Sequence, residues 1–149
     1  MTSHSQPVEV ITYETAAGLR DAALAHAAAN GWTVAVVILD PWGSVVTSAR
    51  MDGVTPPILE FATDKAYTAT LGRSTRGFFE RMSSTPELTL GLQTRPRLCT
   101  WDGGLPIRNG ETLIGAIGVS GAAGHEDVAC AEAALDAIGL KRAASRSGN

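Results

Sequence analysis

The apolar positions of the first third of the chain change period twice. Over residues 12–30 the sequence is alanine-rich, and Leu19, Ala23, His26 and Ala27 recur at spacings that share one helical face, which predicts a first helix. Asn30-Gly31 supplies its stop, because both residues tolerate the left-handed conformation common just past a helix end. Residues 32–39 are then a continuous apolar run rich in β-branched side chains, the pattern of a central strand covered on both faces. Asp40, Pro41 and Gly43 occupy the first, second and fourth positions that favour a type I turn, so residues 44–49 are expected to pair back as a second strand.

Helical spacing returns over residues 55–72, with Pro57 in the first turn and an inward stripe of Ile58, Phe61, Ala62, Lys65, Ala66 and Ala69. Ser74 or Thr75 caps a short helix carrying Phe78, Phe79 and Met82. Residues 83–97 are polar and contain proline, and no element is predicted there. Residues 98–101 read as a third strand, turning through Asp102-Gly103-Gly104 into a fourth at 105–108. Asn109-Gly110 is a strong hairpin signal, since a type I′ turn needs positive φ at both central positions, and a long fifth strand runs on to Ser120. Residues 125–139 place Val128, Ala131, Leu135 and Ile138 on one face of a closing helix.

The predicted order is helix, two strands, two helices, three strands, helix. Every strand-to-strand link is hairpin-short, which requires antiparallel neighbours and excludes a doubly wound Rossmann sheet. The expected class is α/β in the α+β sense: an antiparallel sheet of about five strands flanked by helices, formed by a single domain over residues 12–140. A flexible N-terminus (1–11) and a flexible tail (141–149) are expected on either side.

With 149 residues, of which 44% are hydrophobic, the chain can bury one sizeable core. A net charge of −3 and the absence of a Lys/Arg stripe argue against a nucleic-acid partner. No apolar stretch approaches the roughly 18 residues needed to span a bilayer, and no export signal is evident, so a cytoplasmic protein with no membrane partner is expected. Cys99 and Cys130 lack metal-ligand spacing and read as reduced packing residues.

Among candidate chemical groups, Lys65 stands out because it lies on the apolar stripe of its helix. A desolvated lysine can serve as base, nucleophile or anion clamp; the other reading is a packed stem with the ammonium in water. Arg50 and Asp52 end the second strand in a glycine-containing loop, where they either clamp a carboxylate or form a local ion pair that fixes the turn. The glycines from Gly115 to Gly124 end at a helix N-terminus, which suits either an anion cradle or close packing of a helix or second subunit. His125, Glu126 and Asp127 are adjacent and point in different directions, so no metal site is expected. His125 remains a candidate general base, and Asp127 either caps its helix or orients that base. His26 offers a core hydrogen bond or a nitrogen ligand to haem iron. No Ser or Cys sits in a nucleophile elbow.

Taken in order, the stretches 36–43, Ala49-Arg50-Met51-Asp52-Gly53, 64–69, Gly103-Gly104-Leu105-Pro106, 114–121 and Asp127 resemble the GlcG/HbpS-like family. That family is also described as haem-degrading or DUF336, and it includes the C-terminal domain of PduO-type proteins. The resemblance spans residues 16–138. It implies a profilin-like three-layer sandwich assembling into homo-oligomers (dimer, tetramer or octamer), in which some relatives bind haem and others accompany corrinoid or glycolate metabolism. The matching positions are Arg50, Asp52, Lys65, Gly103, Gly104, Ser120, Gly121 and Asp127, implied as pocket or interface positions. Pro41-Trp42 departs from the expected turn, and Arg95 and Arg97 add two cations before the glycine-rich hairpin.

The function expected on these grounds is small-ligand binding, of haem or a corrinoid, near the glycine-rich strand. The alternative is a metal-independent isomerase, tautomerase or lyase for a small oxo-acid or aromatic-pathway metabolite. There Arg50, Arg95 or Arg97 would fix a carboxylate while Lys65 or His125 moves a proton. A third possibility is an interaction module whose glycines serve only oligomer packing.

Overall fold

The computed structural model describes residues 3–140. Five helices and four strands follow in the order α1 (Tyr13–Ala29), β1 (Ala35–Leu39), β2 (Val45–Arg50), α2 (Pro56–Ala69), α3 (Thr75–Met82), α4 (Pro86–Leu92), β3 (Gly104–Asn109), β4 (Thr112–Ser120) and α5 (Gly124–Ile138). The sheet is antiparallel throughout in the order β2-β1-β4-β3. Among the described residues no helix is long and apolar enough to cross a membrane.

Every residue of β1 is buried, because the two sheet faces are covered by different helices. Val36 and Ile38 point, with Ile117 and Val119 of β4, into a core formed with α1 and α5. Ala35, Val37 and Leu39 point the other way, into a smaller core beneath α2. The alternation of side chains along a strand thus divides one apolar run between two cores, giving three layers: α1 and α5, the sheet, and α2.

Local chemistry sets the element ends. The Thr12 hydroxyl accepts from the Thr15 N–H at 3.1 Å and caps α1, and Gly31 leaves the helix at φ +74°. In the β1–β2 turn one Asp40 carboxylate oxygen accepts from Trp42 N–H (2.9 Å) and Ser44 N–H (3.0 Å), the Asx geometry that suits aspartate at this position. The β3–β4 hairpin turns at Gly110-Glu111, one residue later than expected: Asn109 pairs with Thr112 in the ladder, and of the two residues of the expected turn only Gly110 takes positive φ, at +61°. Residues 9–11 lie along this hairpin: Ile11 N–H donates to Ile114 C=O (3.0 Å) and Asn109 donates to Glu9 (3.1 Å).

Two further expectations are corrected. The sheet has four strands, because residues 98–101 form no strand; the Cys99 N–H there donates to the Thr68 hydroxyl of α2 at 2.8 Å instead of to a ladder. Within 83–97 the chain forms α4, whose sequence signals are Thr85, accepting from Leu88 N–H at 3.2 Å, and Pro86 in the first turn. No residue of α4 is buried, so core periodicity gave no sign of it. The expected tail at 141–149 lies outside the described residues.

The close seating of α2 on the sheet depends on two glycines. A methyl group on Gly118 would collide with the Ala62 carbonyl oxygen and lie 2.8 Å from Ala66 N, and one on Gly104 would collide with the Lys65 carbonyl oxygen. Both obstacles are backbone and cannot swing aside. Gly118→Ala is therefore expected to cost about 3 kcal/mol or more, read as a lowered urea midpoint.

Candidate functional site

Lys65 leaves α2 toward the carboxyl end of β4 and is almost wholly buried. Its Nζ donates to the Val119 carbonyl oxygen at 2.9 Å and to Asp127 Oδ2 at 3.0 Å, and the two side chains are only 4% and 2% exposed. The other Asp127 oxygen accepts from the Ala122 N–H at 3.0 Å, in the first turn of α5. Glu126 accepts from Ala123 N–H, also at 3.0 Å, completing the cap of that helix. The space for this arrangement is made by Gly103 at φ +129°, where an added methyl would fall 3.1 Å from Lys65 Nζ and 3.0 Å from Asp127 Cβ.

Burial pushes the Asp127 carboxyl above the ordinary value of 3.8, and the Lys65 charge and the Ala122 N–H pull it only part of the way back. One turn further along α5, burial holds the Cys130 thiol up at about 11, with Asp127 and Glu126 adding to the rise, so this thiol stays protonated. Cys99 and Cys130 are both free thiols.

An open cleft of about 650 Å³ lies over the buried pair. Its walls are Ile58 and Phe61 of α2, Arg76 and Phe79 of α3, residues 100–102, and the turn from Ser120 to Gly124. Phe61 and Trp101 meet edge-to-face with centroids 5.3 Å apart, and the Arg76 guanidinium lies 5.5 Å from the Phe79 ring centre. A second ion pair crosses the cleft rim, Arg76 to Asp102 Oδ2 at 2.7 Å. The remaining oxygen of Asp102, Oδ1, is buried with no hydrogen-bond partner among the described residues.

Of the sequence candidates, the structure brings together Lys65, Asp127, Ser120 and Gly121 at the cleft, with Gly103 and Gly104 packed directly behind it. The Lys65 ammonium does not snorkel. The remaining candidates lie elsewhere. Arg50 donates to the Val54 carbonyl at 2.6 Å and ties its own turn, with Asp52 exposed beside it. Arg97 stacks 3.6 Å over the Tyr67 ring, and Arg95 is exposed. His125 is exposed on the first turn of α5, and half-buried His26 meets Trp32 edge-on at 5.9 Å. Among the described residues no cluster of His, Cys, Asp and Glu could hold a metal ion.

Sequence reasoning missed Arg76, Phe79 as a wall, Trp101 and Asp102. The i, i+3 spacing of Arg76 and Phe79 on a short helix and the aromatic-acid pair just before Gly103-Gly104 were the available signals.

Fold and site together define an α+β sandwich with a mixed aromatic and charged cleft where its layers meet. The chain belongs to the HbpS-like family, described as "Haem degrading protein HbpS-like", which residues 11–136 match. It is 32% identical over 112 residues to Protein GlcG of Escherichia coli K12, covering 74% of this chain and 81% of that one. Protein ORFY of Klebsiella pneumoniae superposes with a TM-score of 0.86 at 28% identity, covering 93% of this chain and 97% of that one. The PduOC:Heme complex superposes at 0.81 with 24% identity, over 89% and 98% of the two chains, which is a likeness of fold.

Two predictions concern the buried pair. Lys65→Met leaves an uncompensated buried carboxylate and is expected to destabilise the protein by about 3–5 kcal/mol in urea unfolding, with part of that loss recovered on adding Asp127→Asn. Because the folded-state value for Asp127 is raised, the folded chain keeps a proton that the unfolded chain releases first. This group's stabilisation is thus complete below the ordinary carboxylate value and is lost as pH rises through the raised one. Thermal midpoints followed upward from pH 3 should show the wild type losing stability relative to Asp127→Asn as pH rises through the ordinary carboxylate value.

Proposed function

We propose that the chain is a small-ligand-binding protein whose ligand lies in the cleft over Lys65 and Asp127. The observation that carries this is the convergence of three aromatic rings and two ion pairs, one of them buried, on one open cavity of ligand size, the mix of apolar wall and few placed polar groups that binding sites use. Glycines let α2 and β4 meet closely behind it, so the floor is closely packed.

Haem is the ligand that the family description brings to mind, and the cleft can be tested against it. Phe61, Phe79 and Trp101 suit a flat apolar ring system, and the Lys65 ammonium, with one proton to spare, suits a carboxylate. The iron is not suited. None of the lining residues is His, Cys, Met or Tyr, and Lys65, as an ammonium donating to two acceptors, has no lone pair to offer. The cleft therefore fits the organic part of haem and not its metal, and no iron ligation is assigned to it.

A hemin titration followed in the Soret region tests this reading. Saturable binding is expected, at least tenfold weaker in Trp101→Ala and unchanged in His26→Ala, since His26 does not line the cleft. Binding that ignores Trp101 and disappears with His26 would move the ligand to α1.

A further inference from the structure

We propose that the ligand of this cleft is a flat organic acid of single negative charge that also donates a hydrogen bond, its anionic oxygen taken by Lys65 and its donor by Asp102. The proposal rests on the cleft being the binding site and adds the chemical class of what fills it.

Three observations converge. The Lys65 ammonium carries three protons and spends two, on Val119 C=O and Asp127, so a third is left on a group that lines the cleft. An acceptor is thus wanted there. Asp102 presents the opposite need: Oδ2 is taken by Arg76, and Oδ1 is buried without a donor among the described residues, a state that native structures rarely leave uncompensated. A ligand donor relieves it. Finally, the charged residues of the lining are Lys65, Arg76, Asp102 and Asp127, two cations already matched by two carboxylates. A ligand of high charge would lose its hydration without gaining a free counter-charge, whereas one carboxylate with one donor completes both pairs. The aromatic walls at Phe61, Phe79 and Trp101 make the flat, ring-bearing members of this class the better fit.

The test is calorimetric titration of the full chain at pH 8.5 with four probes of equal ring size. Phenylacetate has the acid alone, mandelate and 4-hydroxyphenylacetate add a hydroxyl at two different places, and benzylphosphonate replaces the carboxylate with a more highly charged group. At least one hydroxy acid is expected to bind tenfold or more tighter than phenylacetate, and benzylphosphonate to bind more weakly than phenylacetate. In Asp102→Ala the ratio between hydroxy acid and phenylacetate should fall to within about twofold of one. If that variant does not fold, Asp102→Asn should reduce the ratio at least threefold. Equal binding of all three carboxylates, a preference that survives both substitutions, or tighter binding of benzylphosphonate overturns the proposal. If none of the acids binds while hemin still saturates in a Trp101-dependent way, this proposal fails and the cleft reading stands; if the hemin signal is also indifferent to Trp101, both fail.

Discussion

The buried bond between Lys65 and Asp127 is the contact on which the arrangement of layers depends. Lys65 comes from α2 on one face of the sheet, Asp127 from α5, whose apolar residues pack on the other, and they meet at the Val119 carbonyl at the end of β4. A single ion pair therefore ties the three layers together at one edge. Buried pairs of this kind add little net stability compared with apolar residues of the same size, but removing one partner is costly. Both partners are held by further bonds, the ammonium by a strand carbonyl and the carboxylate by the Ala122 N–H, so the pair fixes where α5 begins relative to α2.

The cleft is a by-product of this joint. Where α2, the end of β4 and the first turn of α5 are drawn together, α3 and residues 100–102 stand off from them and leave the cavity between. The polar groups at its floor are the same groups that make the joint, which explains how structural and binding roles fall on one lysine. Rigid surroundings come from Gly103, Gly104 and Gly118, where backbone replaces side chain as the packing surface.

Much of this could be read from the sequence. The helix spacing around Leu19 and Ala23 and the apolar run of β1 each signal their element through a local pattern, and the glycine of Asn109-Gly110 marks the hairpin, although the turn itself falls one residue later. The apolar stripe that included Lys65 placed it correctly facing inward, because helical periodicity reports burial whatever the residue type. Two things were not legible. Residues 98–101 look strand-like in composition, yet their N–H partner is a threonine on α2, and nothing local encodes so distant an acceptor. The aromatic and charged walls from α3 and residues 100–102 are brought to Lys65 by tertiary folding alone, whereas Arg50, Arg95, Arg97 and His125 carry suitable chemistry and are carried elsewhere.

The two partners of the joint are also far apart along the chain, Asp127 following Lys65 by 62 residues. During synthesis at about 5–20 residues per second, α2 leaves the ribosome several seconds before its counter-ion exists. Until then the lysine belongs to a helix whose apolar stripe has its strand β1 to rest on but neither β4 nor α5. The sheet gains its second central strand once β4 has been made, but the lysine gains its carboxylate only with α5. Helix α5 is thus the element that lets the nascent protein close, and a polypeptide stopped short of it would hold an unmatched charge at the heart of its unfinished fold.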